Sequence, residues 1–337
     1  MNFRDNCFNF VRIVAAIQVF LGHATFHLEL DISLLCHDLL MCLRGVPIFF
    51  VLSGFLIWNA IGREDNFSHF LKKRIGRLYP DLWGGVMLNA AVMLVLYWSS
   101  ISLFPFLLFQ FTQSTIFQFW TPDSLRGYGC GTPNGALWTT GVMLQSYIVL
   151  WCIYRYLHRN SLYKQLAAVS LFAMFNIVTP LFKPFVPIII YKLFLQTFIP
   201  YIWLFFIGTF VCEHFEVMIT YLKRYWLVLF IISVIASLTH IDLGIYETIK
   251  STFLGLAIIG FGYAYPKIRI NKDYSYGLYI YHMIVINVFI ELGLIGHWWH
   301  VLIAFAISIL LTVISYHLIE KIKLIVYRLN LYGVLQR

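Results

Sequence analysis

Residues 9–27, NFVRIVAAIQVFLGHATFH, decide the reading of this chain: an apolar run long enough to cross a bilayer holds Arg12 near one end and His23 near the other. Ionisable side chains at membrane depth are costly and mark functional sites. On a helix turning 100° per residue, the step from position 12 to position 23 returns the side chain to within about 20° of its starting direction, roughly 16 Å along the axis. The two residues share one face at different depths.

The remainder of the 337 residues has the same character, with 61% hydrophobic, 18% aromatic and 12% charged residues and a mean hydropathy of +0.79. This is the composition of an integral membrane protein. Apolar runs near the span length of about 20 residues fall at 8–28, 43–61, 82–98, 137–155, 165–182, 196–213, 225–240, 250–265, 275–295 and 299–318. They predict an all-α bundle of about ten transmembrane helices. The first run lacks a small-residue cleavage site and carries Arg12 and His23, so it reads as a permanent span and not as a signal peptide. No internal repeat, low-complexity tract or linker divides the chain, and 1–337 reads as a single transmembrane domain.

Cytoplasmic loops carry the Lys/Arg excess. With both termini inside, only Arg44, Arg126, Lys183, Lys192 and Lys250 of the 24 Lys/Arg fall outside, and Arg12 lies within the first span. Counting 101–120 as a further crossing would move Arg155, Arg159 and Lys164 to the outer side, so this segment is expected to be re-entrant or interfacial. The net charge of +9 is therefore largely a topology signal. No basic surface is presented on a soluble domain, and nucleic acid is not an expected partner. The cysteines at 7, 36, 42, 130, 152 and 212 lack a paired CxxC spacing; a bridge from Cys36 or Cys42 to Cys130 is left open.

The densest charge cluster, Lys72, Lys73, Arg74 and Arg77, lies in LKKRIGRLYP at 71–80, which the topology puts at the cytoplasmic face. Arg74 and Arg77 stand one helical turn apart on the same side, an arrangement in which two guanidiniums can grip phosphate oxygens. The plain alternative is a positive-inside anchor touching anionic membrane lipid.

Five blocks in order then carry a family resemblance: Arg12 with His23, GVPIFFVLSGFLI at 45–57, KRIGRLYP at 73–80, NGALWTTGVMLQSY at 134–147 and SYGLYIYH at 275–282. Together they resemble the acyltransferase-3 family of membrane O-acyltransferases, over nearly the whole chain. The resemblance implies acetyl-CoA as a cytoplasmic acyl donor and a glycan or lipid-linked saccharide hydroxyl as acceptor, in a bacterial inner (plasma) membrane. Some relatives carry an appended extracytoplasmic hydrolase-like domain; none is read in this sequence, so transfer is expected in the bundle or with a separate partner. Self-association into a homo-oligomer is left open.

On this reading His23 is the general base, since an unperturbed imidazole titrates near neutrality, or a transient acyl carrier. Arg12 would orient the donor or stabilise the thioester oxyanion; its alternative is snorkelling. Lys73, Arg74 and Arg77 would hold the nucleotide end of the donor. Gly54 would let the pantetheine arm or a neighbouring backbone pass, and Ser53 would donate a hydrogen bond, against the plainer reading of helix packing.

The stretch TPDSLRGYGCGTPNGALW at 121–138 reads as an irregular outer loop and a natural acceptor site. Trp138, Asn134, Gln145 and Tyr147 are its candidate acceptor-binding residues, with an interfacial aromatic belt as the alternative for Trp138. Tyr276, Tyr279 and His282 recur every third position as one helical stripe, and Tyr279 and His282 complete the acceptor set. Many relatives have an acidic residue where this chain has Met143, and no proton role can pass to a thioether. Glu29, Asp31 or Asp38 would be the compensating charge. Glu320 is read as structural. The other histidines, His27, His37, His240, His297 and His300, lack a metal-ligand spacing, and no metal is expected.

Two further classes compete. A transporter or flippase for a lipid-linked sugar would show discontinuous helices and two similar halves, and no matching halves are seen. A glycan polymerase or ligase would have no use for the inner Lys73/Arg74/Arg77 cluster beside Arg12.

Overall fold

Within a bilayer each backbone polar group must be satisfied internally, and a helix does this inside one segment. Every one of the ten apolar runs falls on a helix. The computed structural model describes residues 2–118, 120–239, 241 and 244–335, without the side chains of 326–335. His240, the last position of the 225–240 run, lies outside the described residues.

The helices are α1 (Phe8–His27), α2 (Leu34–Met41), α3 (Gly45–Ile61), α4 (Phe67–Leu96), α5 (Leu103–Gln113), α6 (Trp138–Leu157), α7 (Leu162–Phe182), α8 (Ile188–Phe194), α9 (Ile202–Glu213), α10 (Phe215–Leu238), α11 (Gly244–Ala264), α12 (Ser275–Glu291) and α13 (Trp298–Leu335). The described residues contain no strand. By length and apolar composition six stretches suffice to cross a membrane: α1, α2 with α3, α4, α7 with the turn after it, α10 and α13. The others fall short for physical reasons. Helices α9 and α12 have 12 and 17 residues, and α6 buries polar groups, among them Thr139, Thr140 and Ser146.

Helix α5 fills part of the 101–120 segment with 11 residues. At 1.5 Å per residue it reaches about 16 Å, half of the roughly 30 Å hydrocarbon core. The basic cluster and the 82–98 run lie on one helix, α4. Its start is fixed by Asn66, whose side-chain oxygen accepts the His69 N–H at 3.0 Å.

Helix α12 is buried around nearly its whole circumference and packs between α1, α4 and α13. It is the axis of the bundle. On another side α1 meets α3, and α3 crosses α9 tightly. The crossing is set by two glycines: a Cβ on Gly54 would fall on the Phe205 carbonyl, and one on Gly208 on the Val51 carbonyl. Between α2 and α3 the chain breaks, and the buried Gln18 of α1 satisfies both edges. Its Nε2 donates to the Leu40 carbonyl at 3.2 Å and its Oε1 accepts the Gly45 N–H at 2.7 Å. The break opens one end of the bundle around His23.

Candidate active site

His23 on α1 meets His282 on α12, with Nδ1 of His23 2.8 Å from Nε2 of His282 and the rings stacked at 13°. The other nitrogen of His282, Nδ1, lies 2.8 Å from the Tyr279 carbonyl and 3.2 Å from that of Leu278. Carbonyls only accept, so Nδ1 of His282 carries its proton and Nε2 of the neutral ring is an acceptor. The Nδ1–H of His23 donates into it. In this network Nε2 of His23 is the unprotonated nitrogen, and the side chain lines an open cavity. An imidazole fixed in that tautomer can take a proton from a group in the cavity, and the acceptor behind it favours the imidazolium that results.

At the opposite end of α1, Arg12 Nη1 lies 3.2 Å from Oδ2 of Asp273, and Arg77 Nη2 of α4 lies 3.1 Å from the same oxygen. Oδ1 of Asp273 accepts the Ser275 hydroxyl at 2.5 Å and its backbone N–H at 3.2 Å, tying the start of α12 to both cations. Burial alone would raise this carboxyl, but the two guanidiniums and the Ser275 donors outweigh it and hold it below the usual carboxylate range. Arg74 has no such partner among the described residues. Its Nε is buried without a hydrogen bond, and its guanidinium sits 5.6 Å from the Phe70 ring centre. A buried donor without an acceptor is costly. Arg12, Arg74 and Arg77 face one cavity of about 750 Å³, open mouth included, in which Asp273 is the one acidic lining residue. The cavity carries three guanidiniums against one carboxylate among its described lining residues, and the Arg74 Nε is a donor without a partner.

The two ends meet. The His23 cavity encloses about 1320 Å³, its mouth included, and Val46 and Tyr279 belong to the walls of both. Tyr279 is held by Thr139, whose Oγ1 is 3.0 Å from the phenol oxygen, and by the edge of Phe49. It is the partition between a cationic chamber and an imidazole chamber.

The structure brings some of the expected site residues to these chambers and turns others away. Arg12, Arg74, Arg77, Ser53 and Tyr147 line the cationic chamber, His23 and Trp138 the other, and Tyr279 both. His282 is fully buried behind His23. Lys73 points outward and pairs with Glu64 at 2.6 Å. Gly54 serves the α3–α9 crossing. Asn134 is buried and donates from Nδ2 to the Ile280 carbonyl at 2.9 Å, fastening the loop before α6 to α12. Gln145 accepts the Phe198 N–H at 3.0 Å, away from both chambers. Met143 stands in the cationic chamber with the hydroxyls of Ser53 and Tyr147 4.0 and 3.8 Å from its sulfur. The partner of His23 is thus a second imidazole, not a carboxylate. Sequence reasoning missed Asp273; its signal was an acid two residues before SYGLYIYH, just after the basic residues Lys267, Arg269 and Lys272.

No solved structure matches the chain. Nodulation protein 10 of Rhizobium leguminosarum bv. viciae is 28% identical over 349 aligned positions, covering 94% of this chain and 92% of that protein. The model of the acyltransferase domain matches residues 5–317, which include every residue of both chambers. The protein is an integral membrane protein, and it belongs to the acyltransferase-3 family.

Proposed function

We propose that the protein transfers an acetyl group from cytoplasmic acetyl-CoA to a hydroxyl of a cell-surface or lipid-linked glycan. The observation that carries this reading is the pair of chambers meeting at Tyr279: guanidiniums in excess of carboxylates on one side, a tautomer-fixed imidazole on the other. The cationic chamber faces the cytoplasm, where the Lys/Arg excess lies, and the His23 chamber faces outward. Both termini are inside, about ten helices cross, and the membrane is a bacterial inner membrane.

Arg74 and Arg77 bind the phosphates of the donor; the partnerless Nε of Arg74 is the group such an anion would satisfy. Arg12, one side of the same chamber, lies on the α1 face that leads to His23, so a thioester arm laid along α1 passes from one to the other. His23 Nε2 takes the proton as the acceptor oxygen bonds to the thioester carbonyl carbon. When the carbon–sulfur bond breaks, the imidazolium returns that proton to the departing thiolate. His282 Nε2 holds the Nδ1 proton of His23 throughout, keeping the ring in register.

Calorimetry of acetyl-CoA binding to the purified protein in detergent tests this. Saturable binding is expected for the wild type. Arg74→Ala/Arg77→Ala removes charge-assisted hydrogen bonds worth about 1.5–3 kcal/mol each, so affinity should fall by about two orders of magnitude or more. Absence of binding by folded wild type would overturn the donor assignment.

A further inference from the structure

Helix α1 ends in a clamp. The Leu28 N–H bonds to the Ala24 carbonyl at 2.9 Å, the Leu30 N–H reaches back to the Thr25 carbonyl at 3.0 Å, and the Leu28 carbonyl accepts the Gly296 N–H at 2.8 Å from the turn between α12 and α13. The Leu30 bond is the long closing bond of a Schellman cap, which requires the residue before Leu30 to be left-handed. Glycine is the usual occupant, because a side chain is strained there. Glycine takes this conformation at Gly129, Gly131, Gly293 and Gly296, whereas at the α1 cap, as at Arg159 after α6, a side chain sits there: Glu29, with φ +53. Such strain persists where the surroundings over-determine the backbone, and it points to function when the side chain has a use.

Glu29 lines the His23 chamber together with Trp138, His37 and Arg44. It is the one acidic residue in that lining. Arg44 is held by Glu247, whereas the Glu29 carboxylate takes no hydrogen bond or ion pair from a described residue. It is an exposed carboxylate on a strained backbone at the rim, six residues beyond the imidazole whose lone pair faces the same space.

We infer that Glu29 is an acceptor-recognition residue, its two carboxylate oxygens taking hydrogen bonds from vicinal hydroxyls of the saccharide whose neighbouring hydroxyl is presented to His23. A carboxylate is acceptor-only and binds two O–H donors at once, and charge-assisted O–H···O bonds are the short, strong ones. Trp138, on the same wall, offers an aromatic surface for the sugar. This inference rests on the glycan-acceptor reading above.

Its test is direct binding of the water-soluble polysaccharide fraction from the native cells to wild type, Glu29→Gly and Glu29→Gln in detergent, with thermal midpoints recorded alongside. Glu29→Gly removes the carboxylate and relieves the backbone, so at least a tenfold loss of polysaccharide affinity is expected with an equal or higher midpoint and unchanged acetyl-CoA affinity. Glu29→Gln keeps the strain and one neutral acceptor, and should fall between. Periodate cleaves vicinal diols, so the oxidised and reduced fraction should bind wild type and Glu29→Gly alike. Equal binding of the intact fraction by wild type and Glu29→Gly overturns the inference, as does a Glu29-dependent difference that survives periodate. Failure of the acyltransfer reading is scored separately, by whether wild type incorporates labelled acetate from acetyl-CoA into the same fraction.

Discussion

His23 is distinguished from an ordinary buried histidine by which of its nitrogens is occupied. Because the Tyr279 and Leu278 carbonyls force the proton of His282 onto Nδ1, the shared bond consumes Nδ1 of His23 and leaves Nε2 for chemistry. His23→Ala should therefore lower transfer by about 10²–10⁴-fold, the range of general-base catalysis, in a protein that still inserts and binds acetyl-CoA. In the proposed mechanism His282 acts one bond further back, as a positioning residue. His282→Ala leaves the Nδ1–H of His23 without its acceptor and should lower kcat with little change in either KM. His282→Gln, whose side-chain carbonyl can accept that proton, should recover part of the loss. Equal activity of His282→Ala and His282→Gln in steady-state assays would show that the ring serves packing and not the tautomer.

Among the elements, the α3–α9 crossing is the most exposed to a single added atom. At Gly54 and Gly208 the obstacle is backbone of the facing helix, which cannot rotate away as a side chain would. Gly54→Ala should cost at least the roughly 1–3 kcal/mol of an overpacked core and lower the thermal midpoint in detergent; an unchanged midpoint would mean that the helices slide apart freely. Gly54 was readable in sequence as a small residue in an apolar span, with packing as its plainer role, and the helices themselves were readable because each apolar run had to close its own backbone hydrogen bonds. Partnerships were less legible. His282 stood out by its three-residue stripe with Tyr276 and Tyr279, but its bond to His23 joins residues 259 apart in sequence. Asn134 and Gln145 looked like acceptor-binding groups because polar residues in an outer loop and span invite that reading. Their side chains instead satisfy backbone at Ile280 and Phe198, a demand that only the packed structure reveals. Asp273 carried no motif, since its meaning lies in two arginines brought in by α1 and α4.

At the scale of the whole molecule the bundle has two chambers of different chemistry with one aromatic side chain between them. In the proposed reaction, an acyl group taken from a thioester in the cationic chamber must reach the imidazole without meeting free water, because a base poised for a sugar hydroxyl will also activate water. Tyr279, pinned by Thr139 and Phe49, fills the shared wall. Tyr279→Ala should join the chambers and admit water to the thioester path. Acetyl-CoA hydrolysis in the absence of any acceptor should then rise by about tenfold, corresponding to about 1.4 kcal/mol of lost protection, while transfer to glycan per acetyl-CoA consumed falls. Tyr279→Phe keeps the ring in place, loses only the contact with Thr139, and should remain coupled. Thiol release monitored with and without acceptor separates the two variants. If Tyr279→Ala stays as tightly coupled as Tyr279→Phe, the acyl group does not cross at Tyr279, and the passage between the chambers must run along Val46 alone.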